Sequence, residues 1–146
     1  MTRNFAFILG VVFLAVGILG FVPGITSEAS ADATMHAMRT DVRHLFGLFP
    51  VNTAHNLVHL FFGAVGIFAA VSYPMARNYA RTVAIAYLLL AVCGIVPGLK
   101  TLFGYIPLFG HDIWLHLAIG AIAAIFGWPV PRPATDSAAV HTTPEL

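Results

Sequence analysis

Charge is what this chain most lacks. Its 146 residues include 7 Lys and Arg and 6 Asp and Glu, so 9% are charged against 59% hydrophobic. Soluble domains run near 25% charged and about 45–50% apolar, and a soluble helical fold needs charge on its outer faces that this chain does not have. Cysteine is nearly missing too. Cys93 stands alone, which rules out an intrachain disulfide and reads as a small packing residue. There is no nucleotide-binding glycine loop, no zinc-protease helix and no serine nucleophile elbow. Basic residues are too few for nucleic acid, although Arg39 and Arg43 suit lipid phosphates or an acidic partner.

What is present is a set of uncharged runs. Phe5–Val22, Ala54–Tyr73, Thr82–Leu99 and Ile113–Val130 each approach the 17–25 residues that cross a hydrocarbon core of about 30 Å. The composition implies an all-α integral membrane protein, a four-helix bundle in one domain over 1–130, followed by a disordered tail over 131–146 rich in proline and small polar residues. Arg3, the first apolar run and Ala29-Ser30-Ala31 have the outline of a cleaved secretory signal. The length of that run and its share in the repeat described next assign it to the retained protein. Arg3, Arg77, Arg81 and Arg132 would fall on one side, and Arg39, Arg43 and Lys100 on the other with most of the acidic residues. That bias favours both termini in the cytoplasm.

The second half repeats the first. Leu45-Phe46-Gly47-Leu48-Phe49-Pro50 recurs as Leu102-Phe103-Gly104-Tyr105-Ile106-Pro107, and at the same offset His59 falls on His116, Gly63 on Gly120 and His55 on Asp112. Upstream, Gly20-Phe21-Val22-Pro23-Gly24-Ile25 matches Gly94-Ile95-Val96-Pro97-Gly98-Leu99 at a larger offset, so the copies differ by an insertion before Leu45. Two tandem helical hairpins are the simplest account, with a site where the copies meet. Within the insertion, Met35, Met38, Val42, Leu45 and Phe46 recur at spacings of three and four, which implies a short amphipathic interfacial helix over Ala33–Phe46. Its counterpart, Thr101–Gly110, is apolar and rich in Gly and Pro and should dip into the interface or cover the bundle. Phe46, Phe49, Phe103, Tyr105 and Phe109 of the two outer loops would supply aromatic anchoring at that depth.

The repeat carries polar groups into apolar spans. His55 and His59 share one helix face, and Asp112 and His116 share the equivalent face of the last span. If the hairpins pack about a pseudo-twofold axis, these faces oppose each other, with His59 and His116 at equal depth. Imidazole and carboxylate together suit zinc, iron, copper or nickel. A haem is a further reading, with His59 and His116 as two axial imidazoles, supported by the pairing alone. Asn56 and His111 are secondary candidates near the helix ends. The plainer alternative is that the histidines and Asp112 bond each other across the spans and only hold the bundle in register.

Phe49-Pro50-Val51-Asn52, then His55-Asn56 and His59, resemble a signature of the bacterial four-span membrane family catalogued as domain of unknown function 4383. The resemblance covers about Phe5–Trp128. It implies a bacterial inner-membrane location and no biochemical role, so no catalytic residue is carried over from it. The reading is therefore a membrane protein with a His/Asp polar site between repeats that binds a metal, haem or small ligand. The rival reading is a structural or accessory subunit that meets a second copy or a membrane partner through its glycine-rich faces.

Overall fold

A computed structural model describes residues 1–28 and 38–128. The chain is mostly helical. Helix α1 spans Thr2–Leu19, α2 Thr53–Ala69, α3 Tyr73–Ile95 and α4 Asp112–Gly127, with three short strands between α1 and α2: β1 Thr26–Glu28, β2 Arg43–Leu45 and β3 Phe49–Val51. By length and composition α1 and α3 could cross a membrane, while α2 and α4 are apolar but shorter.

Helices α1, α2 and α4 bury many small residues, while α1 and α3 also bury Phe13, Tyr79 and Tyr87. Ala6, Gly10 and Gly17 of α1, Gly63, Gly66 and Ala69 of α2, and Gly120, Ala123 and Gly127 of α4 face inward at helical spacing. A side chain at Gly10 would lie 2.7 Å from the Ile67 nitrogen and 2.9 Å from the Gly63 carbonyl, so α1 and α2 meet backbone to backbone. Helix α1 packs chiefly on α2 and α3 chiefly on α4, and α1 also meets α3. At the centre Phe13 of α1 and Tyr87 of α3 stack with ring centroids 5.3 Å apart.

The helix ends are specified locally. Ser72 caps α3, its hydroxyl accepting the Met75 N–H at 3.4 Å, and Pro74 occupies the first turn, where its missing N–H costs nothing. Helix α3 therefore begins at Tyr73 rather than near Thr82, and Arg77 and Arg81 lie within it. Both arginines donate through Nε to the Gly127 carbonyl at the end of α4, at 3.2 and 2.9 Å, and Arg3 donates likewise to Ala70 at the end of α2, at 2.8 Å. These cations satisfy carbonyls that the last turn leaves without partners.

The all-α expectation needs correction before α2. The expected amphipathic helix is absent over Met38–Phe46, and its earlier part, up to residue 37, lies outside the described residues. In its place β2 pairs antiparallel with β1 and β3, with Thr26 opposite Leu45 and Leu45 opposite Phe49. The reason is the turn. Phe46 (φ 54°) and Gly47 (φ 70°) both adopt left-handed backbone, which reverses the chain and folds the apolar residues at Val42, Leu45 and Val51 beneath the sheet. Phe103 (φ 61°) and Gly104 (φ 91°) repeat this geometry. There the segment after α3 folds over the helix ends, burying Pro107 and Leu108 and bonding Leu108 N–H to the Lys100 carbonyl at 2.8 Å. The tail expected over 131–146 lies outside the described residues.

Candidate functional site

The polar residues singled out in the sequence lie on α2 and α4, beneath the two folded loops. Asn52 sets the position of the first. Its carboxamide oxygen accepts the His55 N–H at 2.9 Å and caps α2, while its nitrogen donates to Thr40 Oγ1 at 2.8 Å and to the Tyr105 carbonyl at 2.7 Å. One side chain thus starts α2 and ties that start to the loop that leads into α4. A capping asparagine contributes about 0.5–2 kcal/mol, and here the same residue sets His55 facing α4.

His55, His59, Asp112 and His116 are all buried, His55 and Asp112 to 3% exposure and His116 to 2%. One donor atom from each of His55, Asp112 and His116 lies within 4.8 Å of the others. Within α4, Asp112 Oδ2 stands 3.5 Å from His116 Nδ1. The His55 ring stacks on His59 at 4.6 Å and lies 6.1 Å from the His116 ring. The Nδ1 atoms of all three histidines and Oδ2 of Asp112 are buried without a hydrogen-bond partner. An orphan of this kind costs about 1–3 kcal/mol, and the great majority of buried polar groups are paired. Two of the four, Asp112 Oδ2 and His116 Nδ1, face each other at 3.5 Å, so the cluster has the chemistry either to hold a cation or to share protons among its own members.

The structure brings His55, rather than His59, into reach of Asp112 and His116. The cause is the aromatic pair beneath. Phe13 meets the His59 ring at 5.6 Å, Tyr87 meets the His116 ring edge-on at 5.0 Å, and the two aromatics stack on each other. His59 is held behind His55 as its stacking partner. Asn56 is buried but turns to Gly20 of α1, with its amide oxygen unpaired. His111 is exposed at the start of α4, makes no capping bond, and stands outside the cluster. Asn52, Phe13 and Tyr87 were not singled out as site residues. Asn52 was detectable as a capping residue three positions before His55, whereas the two aromatics read as ordinary apolar positions.

The donor set fits a metal ion better than a haem. Nitrogen and oxygen ligands at about 2.0–2.2 Å from a four-coordinate ion need the three side chains, now within 4.8 Å of one another, to draw together by on the order of an ångström. A porphyrin between His59 and His116 would need a slot where Phe13 and Tyr87 are already packed against those rings.

No curated protein and no solved structure matches the chain. A family described only as a domain of unknown function (DUF4383) matches residues 3–129, a span that takes in all of the four helices but the first residue of α1, and every residue of the buried cluster. By that match the chain belongs to this family of unknown function.

Proposed function

We propose that this chain is a four-span protein of the bacterial inner membrane, built from two duplicated hairpins, that binds a first-row transition metal through His55, Asp112 and His116. The observation that carries the metal reading is the convergence of unpartnered, fully buried imidazole and carboxylate atoms from α2 and α4. Three protein donors with a further position open to water or substrate are typical of reactive rather than purely structural sites.

The bilayer reading rests on the reversed packing. Large apolar side chains such as Phe7, Phe61, Phe68, Leu89 and Ile125 point outward from all four helices, as lipid permits and water does not. Small residues lie at the seams, as membrane helices require. The 16 residues of α4 rise about 24 Å, short of a core of about 30 Å, and the folded loops above α2 and α4 would make up the difference with buried backbone. Arg3, Arg77 and Arg81 at the opposite end favour termini in the cytoplasm.

Equivalent contacts support duplication. The offset that takes Gly20 to Gly94 also takes Arg3 to Arg77 and Phe13 to Tyr87. The offset that takes His59 to His116 takes Ala70 to Gly127. Arg3 to Ala70 thus corresponds to Arg77 to Gly127, and Phe13 to His59 corresponds to Tyr87 to His116.

Elemental analysis of detergent-purified protein tests the metal reading. A near-stoichiometric transition metal in the wild type, lost in a folded His55→Ala/His116→Ala variant, is expected. Equal and negligible metal in both after growth and purification in metal-supplemented medium would end this reading in favour of the accessory-subunit alternative, in which the histidines only hold helices together.

A further inference from the structure

A second polar site stands apart from the histidines. A cavity of about 300 Å³ opens between the end of α1, the small sheet and the start of α2, lined among others by Gly20, Thr26, Asp41, Arg43, Thr53 and Asn56. Arg43 is held there rather than free to swing, since its Nε donates to Thr26 Oγ1 at 2.8 Å and its Nη2 to the Thr26 carbonyl at 3.1 Å. A guanidinium fork has five N–H donors, so one fixed in this way still presents donors to an anion. Thr53 opens α2; Asn52 already caps the His55 N–H, which leaves the N–H groups of Thr53 and Ala54 without a partner within the helix and favouring negative charge.

The cavity also contains the opposite sign. Asp41 lines it, and among the described residues no salt bridge joins Asp41 to Arg43. Its wall beside Gly20 is Asn56, 2% exposed, whose amide oxygen has no partner. A plain anion would meet Asp41 as a like charge, and a plain cation would meet Arg43. A small molecule that carries both charges would satisfy both walls. The volume lies at the lower end of ligand pockets, which run about 300–1,000 Å³, so the occupant is short.

We propose that this cavity binds a small zwitterion, a primary ammonium and an oxyanion on one short carbon chain, with Arg43 and the start of α2 taking the oxyanion and Asp41 taking the ammonium. The same chemistry occurs in a free amino-phosphate and in the headgroup of an aminophospholipid. The site is independent of the histidine cluster.

The experiment compares two sources. Calorimetric titration of the detergent-purified full chain with O-phosphoethanolamine tests the free solute. Thermal unfolding in phosphatidylcholine nanodiscs with and without phosphatidylethanolamine tests the headgroup. Saturable binding or a raised midpoint in either arm is expected, weakened about tenfold or more by Arg43→Gln and by Asp41→Asn, each removing one charge-assisted contact. Glycerol phosphate, which lacks the ammonium, should bind about tenfold or more weakly. Both side chains are exposed, so these variants should fold, and Arg43→Lys keeps the charge as a further check. A His116→Phe variant should bind the zwitterion normally whether or not the metal reading holds. No response in either arm, or glycerol phosphate binding as tightly as phosphoethanolamine, would overturn the proposal.

Discussion

Replacing His116 by phenylalanine should leave the metal-free protein within about 2 kcal/mol of the wild type and should abolish its stabilisation by metal. His116 is 2% exposed, its Nδ1 stands 3.5 Å from Asp112 Oδ2 without making a hydrogen bond, and its ring packs edge-on against Tyr87 at 5.0 Å. Phenylalanine keeps that aromatic contact and removes the orphan, a gain of about 1–3 kcal/mol. The larger ring gives this back wholly or in part as overpacking, about 1–3 kcal/mol at a close-packed site. The chelator-treated variant should therefore unfold within about 2 kcal/mol of the wild type. Saturating metal favours the wild type. At a hundredfold excess over Kd a native-state ligand adds about 2.7 kcal/mol, and only the wild type can collect it through three donors. The assay is unfolding in mixed detergent and denaturant, with chelator and then with zinc or ferrous iron. Loss of more than about 2 kcal/mol in the chelated variant would show that His116 makes a stabilising hydrogen bond across the bundle, of the size expected when a buried polar pair is broken, and would refute the orphan argument.

Other outcomes follow from the same contacts. Asn52→Ala removes the α2 cap and both ties to Thr40 and Tyr105, and should cost about 2–4 kcal/mol in equilibrium unfolding; Asn52→Ser, which keeps a capping oxygen, should cost less. Gly10→Ala should cost about 1–3 kcal/mol, because its new methyl meets backbone of α2, whereas Gly17→Ala should cost less, since two of its three nearest atoms belong to the Leu60 side chain, which can turn aside. Arg3→Ala should cost about 0.5–1.5 kcal/mol through loss of its bond to Ala70. Arg77→Ala and Arg81→Ala should each cost less than their double variant implies by simple addition, because both serve the Gly127 carbonyl; unfolding of the three variants gives the coupling directly.

Much of the helical content was legible because uncharged runs and regular spacing are local properties. The four apolar stretches became α1 to α4, though α3 started earlier than expected, since Ser72 and Pro74 make a good helix start even before a polar turn. The spacing at Met38, Val42 and Leu45 was misleading. Two consecutive left-handed residues, Phe46 and Gly47, decide that region, and a non-glycine residue in that backbone has only a weak sequence signature. The presence of His55, His59, Asp112 and His116 on α2 and α4 followed from four-residue spacing and recurrence. Which of them converge did not.

The sequence by itself determined the low charge, the small-residue faces, the polar positions on two helices and membership of a family of unknown function, because composition and periodicity need only neighbours along the chain. Tertiary structure alone decided that His55 joins Asp112 and His116 while His59 stacks behind it. That choice depends on Asn52 tying α2 to the loop before α4, and on Phe13 and Tyr87 packing beneath the imidazoles. Both are contacts between residues far apart in the chain, and side-chain shape in a packed interior fixes them only once the helices have met.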